Sequence, residues 1–190
     1  VLREKVTRVL APDGVVLDTC GTGGDGARTL NLSTLAALVV ASCGVVVAKH
    51  CNRAASSKAG SADLLEALCV RVDAPVAVVE RCLREIGIGF LFAPALHLAL
   101  KHAAPVRREI GVRTIFNLLG PLSNPARPKR QLVGVGARPL GPLVAQALAL
   151  RNMERAIVVH SADGLDEISP AGATSTWVID GGAVTEQELR

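Results

Sequence analysis

Three stretches carry residue types that suit a phosphorylated, polyanionic ligand. The first, DTCGTGGDGARTLNLST, covers residues 18–34 and follows a short apolar run. Its Gly, Thr, Gly, Gly, Asp run bares several backbone N–H groups with no side chains in the way, the arrangement that cradles phosphate. Asn31, Ser33 and Thr34 then stand where a helix begins; an N-cap needs one of them, and the other two are more than capping requires. The second stretch, KHCNRAASSKAGSAD at 49–63, follows another apolar run and supplies Lys49, Asn52, Arg53, Ser56, Ser57 and Ser61 as charge and hydrogen-bond donors. The third, HSADGLDEISP at 160–170, places Asp166 and Glu167 together after a further apolar run. A loop acidic pair is ordinarily solvated surface, but beside a diphosphate it would hold Mg²⁺.

Other readings of these residues are weaker. Gly21, Gly23 and Gly26 match GxGxxG after a strand, the dinucleotide fingerprint. That fold wants an acidic residue at the end of the next strand, where this chain has Lys49-His50. A glycine turn serving backbone geometry alone is the bland alternative. His50, His97, His102 and His160 show no ligand spacing and are not read as a zinc site.

Those loops need strands to present them. Val15–Leu17, Val45–Ala48, Gly89–Phe92, Leu132–Val135 and Ala156–His160 read as short buried strands. Helices are expected from Asn31 or Ser33 to Ser42, with Gly44 as the stop, then over 59–68, from Pro75 to Ile86, over Pro94–Ile110 with a break at Pro105, and over Pro142–Arg151. Ser175–Ile179 and Val184 suggest a hairpin turning at Asp180-Gly181-Gly182. Alternating strands and helices predict an α/β fold with a mostly parallel central sheet flanked by helices. Residues 1–10 have the spacing of a short amphipathic segment, a linker or the remnant of a helical domain. Residues 11–190 form the α/β domain.

Composition narrows the partners. The 190 residues are 49% hydrophobic but only 2% aromatic, so Leu, Val, Ile and Ala must build the core. A net charge of +4 fits a small anionic substrate better than nucleic acid, and three Phe with no Tyr make a base-stacking surface implausible. Five cysteines, Cys20, Cys43, Cys51, Cys69 and Cys82, with no CxxC pair, read as reduced thiols of a cytoplasmic protein. No uncharged apolar run approaches the ~18 residues of a membrane span, so no membrane partner is expected.

In order along the chain, GTGGD, NLST, KHCNRAASS, SKAGSAD, VRREIGVRTIFNLLGPLSNP and DGLDE resemble anthranilate phosphoribosyltransferase. The resemblance covers nearly the whole chain. It implies a nucleoside phosphorylase/phosphoribosyltransferase-like architecture whose small helical domain is largely missing here, with truncation after Arg190 as well, and homodimers in the full-length family. The implied reaction joins anthranilate to 5-phosphoribosyl 1-diphosphate, in tryptophan biosynthesis. By position, Gly21, Gly24, Asp25, Thr29, Asn31, Ser33, Thr34, Lys49, His50, Asn52, Arg53, Ser56, Ser57 and Ser61 would contact the donor. Gly21, Asn52 and Arg107 would meet anthranilate, and Ser33, Asp166 and Glu167 would hold two Mg²⁺ ions. No acid or base is assigned, because the resemblance implies electrostatic support of a leaving diphosphate.

Three positions depart from the family pattern. Cys51 and Cys69 replace glycines, and Leu98 replaces the proline after His97. Cys51 is expected to hinder the loop it opens, and Cys51→Gly to raise activity. The rival functions are a pyrimidine nucleoside phosphorylase and a non-catalytic nucleic-acid-binding relative. Asn31–Thr34 argue against the first and the Asp166-Glu167 pair against the second.

Overall fold

The computed structural model describes residues 2–26, 30–54, 59–110, 112 and 114–190, with the side chains of 101, 102, 104, 107 and 108 outside that description. A short helix, α1 (Leu2–Lys5), precedes strand β1 (Val16–Gly21). Then come α2 (Leu32–Ser42), β2 (Val46–Cys51), α3 (Ser61–Ala67), α4 (Val76–Glu85) and β3 (Ile88–Phe92). The expected helix over Pro94–Ile110 is broken into α5 (Ala93–Leu96), a 3₁₀ turn (Leu98–His102) and α6 (Ala104–Ile110), with each proline in a first helical turn. After α7 (Phe116–Leu119) and a second 3₁₀ turn, β4 (Arg130–Gly134), α8 (Leu140–Ala149) and β5 (Arg155–Ser161) follow. The last two strands, β6 (Thr174–Asp180) and β7 (Ala183–Leu189), form the expected hairpin. Gly181 and Gly182 both take positive φ, as a two-residue type I′ turn needs.

The seven strands make one sheet in the order β3-β2-β1-β4-β5-β6-β7. Pairings from β3 through β5 are parallel, and β6 and β7 add antiparallel. Strands β1, β2 and β3 step one way, and β4 lies on the other side of β1. The gap above the C-terminal ends of β1 and β4 is therefore a topological switch point, where open α/β sheets bind ligands.

β1 and β2 are longer than the sequence pattern suggests, because they end in buried polar residues. Asp18 and Thr19 are buried in β1, and Lys49 and His50 in β2. Asp18 is satisfied across the sheet. Asp18 accepts from the His50 N–H and from Gln131 Nε2, both at 3.0 Å. A strand whose polar residues pair with neighbouring strands shows no apolar alternation in its own sequence.

Helix α8 packs Val144, Ala145 and Leu148 against Val133, Val158, Trp177 and Ile179. Helix α4 packs Val79 and Leu83 against Ala48 and Leu91, and that cluster also takes in Val6 and Val9, so the segment before β1 puts two side chains on the sheet's own core. β7 is exposed along its length, and Glu186 and Glu188 charge this edge against further strand pairing.

Candidate functional site

The loops after β1, β2 and β5 meet at the switch point around a cleft of about 680 Å³, within the range of small-molecule sites. Glycine makes their approach possible. A Cβ on Gly21 would lie 2.7 Å from Asp166 Oδ2, and one on Gly134 would overlap the Asp166 carbonyl oxygen. The acidic loop thus sits directly on the ends of β1 and β4. Gly23 donates its N–H to Asp166 Oδ2 at 3.0 Å. Gly23, Gly24 and Gly26 all have positive φ, a backbone path that side-chain-bearing residues rarely follow. Thr22 anchors the turn, donating its N–H to the Gly134 carbonyl at 2.9 Å and accepting at Oγ1 from the Gly136 N–H at 3.2 Å.

Lys49 is 1% exposed, and its ammonium lies between the glycine loop and the start of α2. It donates to the Thr19 carbonyl and, at 3.1 Å, to Ser33 Oγ. Burial lowers its pKa, and the nearby Asp18 carboxylate opposes that loss of charge. Thr19 Oγ1 in turn donates to the Ser33 carbonyl at 2.8 Å, so β1, β2 and α2 are cross-tied beneath the cleft. Asn31 occupies the N-cap position yet makes no side-chain capping bond, and it lines the cleft.

Carboxylates face this cation from the other side. Burial raises the pKa of Asp166, and the charge of Asp25 beside it raises it further. Glu167 is pushed up to about 7, first by burial and then by Asp166, while Lys49 and a hydrogen bond from the Ser33 backbone pull it back. Among the described residues no three His, Cys, Asp or Glu side chains form a ready-made metal cage. Asp166, Glu167 and the Ser33 hydroxyl instead form an open, all-oxygen donor set. That suits Mg²⁺, which binds one or two carboxylates and completes its octahedron with water and substrate phosphates. The donor set fits the ion.

The basic loop is held by α3. Asp63 Oδ2 accepts from the N–H groups of Ala54 and Gly60, at 3.0 and 2.7 Å. Arg53 makes a fork on Glu66, with both bonds at 2.7 Å, and reaches Asp63 at 3.0 Å. Its guanidinium is therefore engaged by α3, although Arg53 also lines the cleft. Asn52 and Ser61 line it too. The cleft's lining also takes in the apolar residues Ala93, Leu100, Val112, Phe116 and Leu119.

Of the residues singled out in the sequence, Gly21, Gly24, Asp25, Asn31, Ser33, Lys49, His50, Asn52, Arg53, Ser61, Asp166 and Glu167 come together around this cleft. Thr34 does not. It is fully buried, does not line the cleft, and its hydroxyl has no partner among the described residues. Thr29, Ser56 and Ser57 lie outside the described residues, as does the side chain of Arg107, whose backbone is in α6.

The sequence reading passed over His97. Its Nε2 lies 3.1 Å from His50 Nε2, while His50 Nδ1 lies 3.0 Å from the Gly120 carbonyl. The carbonyl accepts only, so His50 carries its proton on Nδ1, and His97 must donate to His50 Nε2. Both rings are neutral in this chain of bonds. Burial lowers both pKa values, that of His97 to about 4. A lone His after an apolar turn gives no local signal of a partner 47 residues away.

Cys51 also lines the cleft. Its φ is not positive, and its thiol belongs to a buried cluster with Ala62, Leu65, Val72 and Phe92. The left-handed cysteine is Cys69, with φ of 62°. It follows α3 in a Schellman turn, where the N–H of Cys69 bonds to the Glu66 carbonyl and that of Val70 to the Leu65 carbonyl, both at 2.9 Å.

Known proteins share this chain's sequence and fold. Residues 13–190 match the family described as glycosyl transferase family, a/b domain. An anthranilate phosphoribosyltransferase of Syntrophobacter fumaroxidans is 56% identical over 189 residues, covering 100% of this chain and 56% of the relative. One from Thermomicrobium roseum is 60% identical over 164 residues, covering 86% of this chain and 47% of the relative. The solved anthranilate phosphoribosyltransferase of Thermus thermophilus superposes with a TM-score of 0.89 at 48% identity, covering 99% of this chain and 55% of its own. The Saccharomyces cerevisiae enzyme in complex with PRPP and Mg gives 0.90 at 33% identity, covering 100% and 52%. The same yeast enzyme has also been solved in complex with 4-fluoroanthranilate. The chain spans about half the length of the relatives it matches. It belongs to the glycosyl transferase family, as its a/b domain.

Proposed function

We propose that this glycosyl transferase family domain holds 5-phosphoribosyl 1-diphosphate in the cleft above β1, β2 and β4 and passes its phosphoribosyl group to anthranilate. The products are N-(5-phosphoribosyl)anthranilate and diphosphate, a step of tryptophan biosynthesis. One observation carries the reading. Buried Lys49, the glycine loop and the carboxylates of Asp166 and Glu167 line one cleft together, with the Gly23 N–H donated to Asp166. A diphosphate with its cations is a ligand that needs both signs of charge at once.

Breaking the bond at ribose C1 leaves a cationic sugar and a diphosphate, so the site's task is to stabilise the departing anion. Lys49 and the loop through Gly24 supply positive charge and donors already oriented by the sheet. Asn31, Ser61 and, beyond the described residues, Thr29, Ser56 and Ser57 would complete the donor's contacts. Two Mg²⁺ ions held by Asp166, Glu167 and Ser33 would neutralise the leaving group when bound. Asp25, against Asp166, acts on the donor through that acidic cluster. Anthranilate's ring suits the wall of Leu100, Val112, Phe116 and Leu119. Asn52, Gly21 and Arg107 would hold its polar end and position the amine against C1. His50 and His97 hold the Gly120 backbone behind the ring. We read the protein as cytoplasmic and dimeric; the described residues contain no helix long and apolar enough to cross a membrane.

The similar proteins named above support the substrates. The test is diphosphate release from the phosphoribosyl donor in the presence of Mg²⁺. Release is expected only when anthranilate is added. Release indifferent to anthranilate, or phosphorolysis of uridine or thymidine in its place, would contradict the assignment.

A further inference from the structure

The loop that carries Asp166 and Glu167 leaves β5 at Ser161 and rejoins the sheet at Thr174, the first residue of β6. One carboxylate closes its neck. Asp163 Oδ1 accepts from the Ser161 hydroxyl, and Oδ2 accepts from the Ser169 hydroxyl at 2.6 Å. The two serines are buried, while Asp163 is exposed. Both serines are fixed in turn. Ser161 donates its N–H to the Leu165 carbonyl at 3.0 Å and accepts at Oγ from the Leu165 N–H at 3.2 Å. Ser169 donates its N–H to Oγ1 of buried Thr174 at 3.3 Å. Gly164, at φ of 93°, makes the turn that brings Leu165 back to Ser161. Asp163 therefore ties the end of β5 to the approach to β6, and Asp166 and Glu167 ride on the short tip between.

An exposed loop aspartate is ordinarily a solvated charge. Two observations set this one apart. Both its oxygens are taken by hydroxyls of buried residues, and a charged acceptor strengthens such bonds. The tip it closes also has no room to drift. A Cβ on Gly134 would overlap the Asp166 carbonyl oxygen, one on Gly21 would lie 2.7 Å from Asp166 Oδ2, and the Gly23 N–H bonds to that same oxygen. A shift one way drives the tip into β1 and β4, and a shift the other way breaks the Gly23 bond. Asp163 does not line the cleft, and with both oxygens engaged it does not serve as a ligand.

We infer, on the metal role proposed above for Asp166 and Glu167, that Asp163 is a positioning residue for that site: by clasping Ser161 to Ser169 it sets where the two carboxylates stand. Mg²⁺ demands near-ideal octahedral geometry, so a displaced carboxylate is a poorer ligand for it. Residues behind a metal's own ligands are typically worth about 10–100-fold in its affinity.

The experiment is calorimetric titration of 5-phosphoribosyl 1-diphosphate, with and without Mg²⁺, into the parent chain, Asp163→Ala and Asp163→Asn. Asp163→Ala is expected to bind the donor about tenfold more weakly than the parent when Mg²⁺ is present. Without Mg²⁺ the two should bind equally, a split that a general loss of stability would not give. Asparagine can still accept from one serine and donate to the other, so Asp163→Asn is expected to stay within about threefold of the parent. Circular dichroism checks folding. Should Asp163→Ala fail to fold, Ser169→Ala removes one arm of the clasp and is expected to show the same Mg²⁺-specific loss, several-fold in size. Parent-like Mg²⁺ dependence in the folded alanine variant would overturn the clasp alone. So would an equal loss in Asp163→Asn, which would assign the effect to charge. A parent chain whose donor binding ignores Mg²⁺ would overturn the metal role and the clasp with it.

Discussion

Lys49 Nζ lies 3.1 Å from Ser33 Oγ, and this contact joins β2 to the hydroxyl-rich start of α2. The ammonium that is to face a leaving diphosphate is thereby held beside a hydroxyl that is to face the metal. Lys49→Met keeps most of the buried volume and removes the charge. It is expected to lower kcat/KM by about 10²–10³-fold, the scale of losing one preorganised electrostatic group. Steady-state kinetics checks this, and an unchanged kcat/KM would remove Lys49 from the mechanism.

The Cys69 backbone sits where glycine is the favoured residue. A Cβ in the left-handed region costs roughly 1–2 kcal/mol, so Cys69→Gly is expected to stabilise the chain by about that much. For a chain of this size each kcal/mol moves Tm by about 2–4 °C. A thermal melt with no upward shift would show that the turn relaxes around its side chain.

Cys51 calls for the opposite expectation. Its thiol fills space among Ala62, Leu65, Val72 and Phe92, and burial pushes its pKa up to about 12, so it is a packed, unreactive thiol. Cys51→Gly empties that space and loosens the end of β2, at a cost of about 1–3 kcal/mol. Denaturant unfolding reads this directly. A Cys51→Gly chain as stable as the parent, with higher kcat/KM, would restore the view that this cysteine obstructs the site.

The His50–His97 pair makes stability depend on pH. Burial and the His50 ring lower the His97 pKa to about 4, below the unfolded value of about 6.5. Between those values the unfolded chain binds more protons, so stability is fully present above about pH 6.5 and is lost as pH falls toward 4. Thermal melts across that window should show Tm falling with acid, and His97→Asn should flatten the fall. An equal slope in the variant would assign the loss to other groups.

How much was legible in the sequence follows from which interactions are local. The glycine loop, the Asn31 helix start and the Gly181-Gly182 hairpin are written in neighbouring residues, and the structure has each of them. The ends of β1 and β2 were read short because Asp18, Thr19, Lys49 and His50 break the apolar run, and their partners, such as Gln131, lie on strands far along the chain. His97 was invisible for the same reason. Thr34 shows the converse failure. Its neighbours Asn31 and Ser33 line the cleft, but one further step around the helix turns its side chain into the core. Cys51 and Cys69 both stand where the motif resemblance leads to an expectation of glycine, and only the backbone conformation tells a packed cysteine from a strained one.

The central claim is that Asp166 and Glu167 bind the donor through Mg²⁺ in the cleft that Lys49 lines. Calorimetric titration of 5-phosphoribosyl 1-diphosphate with and without Mg²⁺, into the parent chain and into Asp166→Asn/Glu167→Gln, tests it most directly. Mg²⁺ is expected to tighten donor binding at least tenfold in the parent and to have little effect in the double variant, whose circular dichroism stays native. Equal Mg²⁺ dependence in the two proteins would contradict it.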